Sequence, residues 1–147
     1  MYIFIWNVKF EKHRSIMATE LEIWEGKLGG IFNEIDHLLE DRYGSLFPLH
    51  PVRPKRGRTA NPESDGLFDV GASFTAGFGS AHGQGYVIEI RWSTLSKVSD
   101  DMKSEAENII INVLGRRLPE EFPGRALKVV RDGHVLKITG DLSLDIK

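Results

Sequence analysis

Phe68, Val70, Ala72, Phe74, Ala76 and Phe78 alternate with Asp69, Gly71, Ser73, Thr75 and Gly77. After the turn-rich stretch GSAHGQG, Tyr86, Ile88, Ile90 and Trp92 alternate with Val87, Glu89, Arg91 and Ser93. A period of two puts alternate side chains on opposite faces of a strand, so the two runs predict a hairpin with one buried face. A second hairpin is predicted around RDGH, residues 131–134, where Asp-Gly is a type I′ turn signal. That turn pairs 129 with 136 and 127 with 138, placing Leu127, Val129, Leu136 and Ile138 on one face. The even-numbered apolar positions run on through Leu142, Leu144 and Ile146, so Gly140 reads as a bend or bulge in one long strand.

Between these strands the spacing changes to three and four. Leu21, Trp24, Leu28, Ile31, Ile35, Leu38 and Leu39 predict a helix over about 19–43 with Thr19 as N-cap. Gly29-Gly30 costs it near 1 kcal/mol per glycine relative to alanine, and such a pair can admit another backbone at close range. Ser99 opens a second helix, with Asp100 and Asp101 in the first turn and Arg116 and Arg117 in the last, complementing the helix dipole. Its apolar face is Met102, Ala106, Ile109, Ile110, Val113 and Leu114, with Ile111 to one side. The opening MYIFIWNVKF alternates as a strand over 2–10. Met17, in MATE, is a second natural start, which would make residues 1–16 an extension.

These elements predict one α+β domain over 1–147: two helices on one face of a mostly antiparallel sheet of four to five strands. The order also suggests an internal α-β-β duplication. RYGSLFP (42–48) and RLPEEFP (117–123) both run from Arg to Phe-Pro, and YVIEIR (86–91) matches HVLKIT (134–139) as second hairpin strand. The first unit then carries about 27 additional residues between its helix and its second strand. Helix-and-hairpin order of this kind is similar to that of small dimeric secretion chaperones. Three tryptophans, the broad apolar surface of the second helix and the edges of the long terminal strand predict a homodimer.

Length and composition fit that picture. The chain has 147 residues, 41% hydrophobic and 27% charged, with no cysteine and a net charge of −2. A core of this size folds without staples, and a cysteine-free chain suits the reducing cytoplasm. No apolar run approaches the roughly 18 residues of a membrane span, and the first residues lack a basic leader and cleavage site.

Charge distribution changes the picture more than the total does. Residues 20–41 hold seven acids and one lysine, whereas Arg53, Lys55, Arg56 and Arg58 put +4 on the proline-stiffened stretch 49–66. That loop lies within the additional residues of the first unit, and long structureless loops in compact domains usually carry function. KRGR (55–58) resembles the core of an AT-hook, in which an extended Arg-Gly-Arg enters a narrow A·T minor groove. Thr59 stands where that motif has proline. The resemblance implies nucleic-acid or phosphate binding by Arg53, Lys55, Arg56 and Arg58; the bland alternative pairs them with the acidic helix.

The loop between the first two strands offers a second candidate. Successive backbone N–H groups of the loop around Gly79 and Gly83, with side-chain donors from Ser80, His82 and Gln84, would form an anion-binding nest for a small anionic metabolite. A dinucleotide fingerprint needs a helix after the glycines, and here a strand follows. The five histidines show no metal-ligand spacing, and no catalytic triad, HExxH or P-loop motif occurs. The sequence thus favours a non-catalytic binding or assembly module acting on a protein partner, without metal or cofactor. A phosphate or nucleic-acid binder comes second and a small enzyme third.

Overall fold

The computed structural model describes residues 3–4 and 16–143, with side chains from residue 19 onward. Among these residues, five strands and two α-helices follow in the order β1 (Ile3–Phe4), α1 (Ile16–Tyr43), β2 (Phe68–Thr75), β3 (Gly85–Trp92), α2 (Asp100–Glu121), β4 (Lys128–Asp132) and β5 (Val135–Thr139), with one turn of 3-10 helix at Pro62–Ser64. Adjacent strands are antiparallel and the sheet order is β1-β2-β3-β5-β4. This is the α+β arrangement expected from the two periodicities. Of the strand predicted over 2–10, only Ile3–Phe4 falls within the described residues, and the remainder of 1–16 up to Ile16 lies outside them.

Period-two burial decides which face of the sheet the helices cover. Phe68, Val70, Ala72, Tyr86, Ile88, Leu136 and Ile138 share one core with Trp24, Leu28, Ile31, Phe32, Ile35 and Leu39 of α1. Ala106, Ile110, Val113, Leu114 and Leu118 of α2 complete it. Each fully buried Leu, Ile or Phe contributes about 1.5–3 kcal/mol relative to exposure. Phe32 replaces Leu38 in the α1 stripe; Leu38 is on the outward side, 41% exposed.

Element ends depart from expectation in four places. Helix α1 starts at Ile16, so Thr19 is inside it rather than capping it. Helix α2 is capped as expected, the Ser99 side chain accepting from Met102 N, but it continues through Pro119 to Glu121. Arg116 and Arg117 are therefore not in the last turn. Strand β2 stops at Thr75: Gly77 takes φ 77° and turns the chain, so Phe78 is not a core residue but is 97% exposed. Strand β5 stops at Thr139, with Gly140 at φ 127°; Leu144 and Ile146 lie outside the described residues.

The second hairpin keeps its buried face but changes register. Observed pairs are Asp132↔Val135, Arg131↔Leu136 and Val129↔Ile138, so the loop is Gly133-His134. A type I′ turn on Asp132-Gly133 needs positive φ at both residues. Only Gly133 (φ 64°) has it, whereas Asp132 stays extended in β4. Glycine at the first loop position is the II′ preference. The shift displaces the pairing by two positions, an even number, so the same side chains still face the helices.

Between the hairpins, β3 and β5 lie side by side at the sheet centre, each flanked outward by its own first strand. Their contact is short: Tyr86↔Ile138, Val87↔Lys137 and Ile88↔Leu136. Gly85 permits the close approach, since a Cβ there would meet Ile138 O at 2.5 Å. Strand β3 has eight residues and β5 five. Beyond Ile88 the β5 side of β3 has no neighbouring strand among the described residues.

Candidate functional site

The basic loop divides into anchored and free cations. Arg53 turns inward: its guanidinium donates to the carbonyls of Gly66 (2.9 Å), Glu63 (2.7 Å), Asp65 (3.0 Å) and Phe68 (2.8 Å). Those acceptors form the far limb of the loop, so Arg53 ties its two limbs together. Arg56 reaches the acidic helix, bonding Asp36 and His37 and lying 3.7 Å from Glu40. The Glu40 carboxylate in turn accepts Leu67 N (2.8 Å) and Phe68 N (3.1 Å). Buried Asp65 accepts both the N–H and the hydroxyl of Thr59 at 2.9 Å. Lys55 and Arg58 are exposed. Charge pairing with the acidic helix therefore accounts for Arg56, backbone carbonyls account for Arg53, and two cations remain outward.

Burial leaves its mark on these acids. The Asp36 carboxyl, almost fully enclosed, is pushed up to about 7 by desolvation, with Arg56 pulling the other way. Burial also pushes on Asp65, but hydrogen bonds from Thr59 and Gly57 outweigh it and hold that carboxyl below its usual range.

The glycine-rich loop is closed by the chain itself. Lys137, 1% exposed, spends its ammonium on Asp132 (2.6 Å), Gly83 O (2.7 Å) and Ser80 Oγ (3.1 Å). The Ser80 hydroxyl donates to Asp132 Oδ2 at 2.5 Å, and His82 N donates to Ser80 Oγ at 3.1 Å. An ammonium has three donors and all three are used. Hydrogen bonds from Lys137 and Ser80 hold the Asp132 carboxyl below its usual range. Among the residues singled out for a nest, Ser80 and Gly83 thus face a lysine and a carboxylate of the same chain, while Gly79, His82 and Gln84 are at the exposed side. Ser80 lies beside Lys137, but its proton points to an ionised aspartate and the lysine is already paired, which leaves no free base to activate it. Asp132 does this only because the hairpin register keeps it in β4.

A third feature was not singled out by sequence reasoning. The open side of β3 borders a groove of about 700 Å³, bounded by the end of β3, the first turns of α2 and the start of β5. Its apolar floor includes Ile88, Ile90, Val98 and Leu136; Lys97 stands on the loop that leads into α2, and Lys103 and Glu107 on α2 itself. Trp92, at its end, is fixed by Phe68 (4.6 Å between ring centroids), Tyr43 (5.5 Å) and an edge-on Phe47 (6.0 Å).

Backbone alternation identifies what faces the groove. Ser93 N donates to Leu67 O at 2.7 Å, so odd positions at this end of β3 direct their polar groups to β2 and even positions away from it. Ile88 is the last even position matched by β5. Ile90 N–H, Ile90 C=O and Trp92 N–H thus face the groove, whereas Trp92 C=O accepts from Thr94 N at 2.9 Å. The signal in the sequence was unequal strand length, which only the true turn position reveals. Among the described residues, no His, Asp and Glu cluster is arranged to hold a metal ion, and no helix is long and apolar enough to cross a membrane.

Comparison with known proteins places the chain in a family. A family model described as "Uncharacterised protein" matches residues 19–140, and the chain belongs to that family. A relative from Borreliella burgdorferi, itself named an uncharacterized protein, is 39% identical over 117 residues, covering 80% of this chain and 91% of the relative. No solved structure matches the chain.

Proposed function

We propose that this protein is a non-catalytic binding module that takes up an extended segment of a protein partner along the open side of β3. The observation that carries this reading is the unmatched end of β3 above an apolar-floored groove. Strand addition supplies main-chain hydrogen bonds to vacant donors and acceptors, and pockets for alternate side chains add selectivity. The receiving edge is preorganised, because β2 holds the other side of β3 through eight residue pairs and three aromatic rings fix Trp92. Action in the reducing cytoplasm belongs to the same reading of a cysteine-free chain.

Phosphate binding by the basic loop has less geometric support, since Arg53 and Arg56 are engaged internally and Lys55 and Arg58 alone project. The glycine-rich loop gives still less support to an enzyme, for the reasons set out for Ser80 and Lys137.

The test is to select short random peptides on the intact protein and to follow backbone amide resonances. Enriched peptides are expected to shift Ile90 and Trp92. Enriched peptides that leave both amides unmoved, or no enrichment, would overturn the proposal.

A further inference from the structure

Resting on the strand-docking reading, we propose that the docked segment carries an acidic side chain on its helix-facing side, recognised by Lys97 and Lys103, and that it belongs to a different protein rather than to a second copy of this chain.

The second copy is disfavoured by register and charge. Two copies of β3 pairing antiparallel about a twofold axis must bring even positions opposite even positions, because only those face outward. An axis through Ile90 sets Glu89 against Arg91, which is favourable, but also sets Trp92 against Ile88. That position of Ile88 is already filled by Leu136. An axis through Arg91 clears β5, but Arg91 then stands directly opposite its own counterpart in a non-hydrogen-bonded pair. There the Cα atoms approach to about 4.5 Å, and like charges destabilise. An axis through Trp92 leaves one pair, whose carbonyl already accepts from Thr94.

A foreign strand escapes these conflicts, and the walls indicate what it carries. A residue opposite Ile90 faces the helix layer, as Ile90 does, and meets the apolar floor. On the helix wall Glu107 is neutralised by Arg131 at 2.6 Å. Lys97 and Lys103 are exposed, and no acidic partner lies within salt-bridge distance of either among the described residues. On that side of the groove they outnumber Asp100; Glu89, which also borders the groove, is at an odd position of β3 and so belongs to its outer face. On the outer face Arg91 is near Asp69 at 3.8 Å, so that side offers little net attraction for an acid. An apolar residue next to a helix-facing acid, two positions apart along the docked strand, matches this wall.

Peptide selection on the wild-type protein and on a Lys97→Glu/Lys103→Glu variant tests the inference. Both side chains are exposed, so the variant keeps the fold; unchanged circular dichroism and melting temperature verify that. Wild-type protein should enrich Asp or Glu at one alternate position, and the variant should exchange this for Lys or Arg. An acid-bearing wild-type peptide should bind the variant about tenfold more weakly or worse, two rim charges being worth about 1.4 kcal/mol together. Peptides that shift the Ile90 and Trp92 amides but show no acidic preference overturn this inference and leave strand docking standing. Failure of any peptide to reach those amides overturns both. A concentration-dependent dimer that protects the same amides from hydrogen exchange overturns the assignment to a different protein.

Discussion

The two α-β-β halves of this protein share one core, the first supplying the larger part, and differ in everything that surrounds it. The first half has eight-residue strands, a long loop from its helix to its hairpin, and a glycine-rich hairpin turn. The second has five-residue strands joined by two residues. Were the strands equal, β5 would cover β3 along its whole length. The shortfall uncovers Ile90 and Trp92, so the candidate site arises from a difference in length between halves and not from an added motif. The loops teach a related lesson. In the first half, Arg53 and Arg56 of the loop itself fasten it to carbonyls and acids; in the second, Lys137 of the sheet fastens a loop belonging to the first. Concentrated positive charge in a loop is therefore not by itself a sign of an external anion.

Shared burial predicts that the halves fail together. Ile35→Ala in α1 and Ile110→Ala in α2, both fully buried, should each cost about 2–5 kcal/mol. Urea denaturation should remain one transition for both variants; a separate early transition in either would show that a half folds on its own.

The additional loop is next. Arg56→Ala leaves Asp36 and Glu40 enclosed without their cation, and should cost about 2 kcal/mol, reduced from the fully buried case by the partial exposure of Arg56. Lys55→Ala and Arg58→Ala should change stability by less than about 0.5 kcal/mol. Equal losses from all three would erase the division between anchored and free cations.

Asp36 in the first half and Asp132 and Asp141 in the second should respond oppositely to pH. Asp36 has a folded pKa raised from 3.8 to about 7. Its contribution is fully present below about pH 4 and is lost as pH rises through 7. Asp132 and Asp141 in the second half are held below their usual range by hydrogen bonds, from Lys137 and Ser80 and from Ser143 respectively. Their contributions are present above about pH 4 and lost as pH falls through the lowered folded values. Asp36→Asn should reduce the loss of stability between pH 4 and 7, leaving the share due to Glu25, which burial also pushes up to about 7, and leaving the acid limb intact, as thermal melts over that range will read.

The smallest effect concerns helix glycines. A Cβ at Gly29, Gly30 or Gly115 meets nothing within 4 Å among the described residues, so none of their backbone packs against the pair in α1. Gly29→Ala and Gly115→Ala should each stabilise by about 0.5–1 kcal/mol. A loss at Gly29 alone would point to a requirement in the first half that the second lacks.

The sequence by itself determined the element types, the face of the sheet that the helices cover, and most of the core. These follow from local periodicity: Phe68 through Ala72 and Tyr86 through Ile90 reveal a buried face without knowledge of any neighbour, and Ser99 with its acids reveals a helix start. Leu38 misled because it lies at the margin of the α1 stripe, where a rotation of a few tens of degrees decides between Leu38 and Phe32. Which cations are free was not legible, since Arg53 and Lys55 are alike until a carbonyl cluster closes around one of them. The register of the second hairpin was decided by backbone torsion at Gly133. From that register follow both the position of Asp132 beside Lys137 and the late start of β5, at Val135. The candidate site is therefore a property of how two strands of unequal length meet, and strand meeting depends on contacts distant along the chain, which periodicity within one segment does not encode.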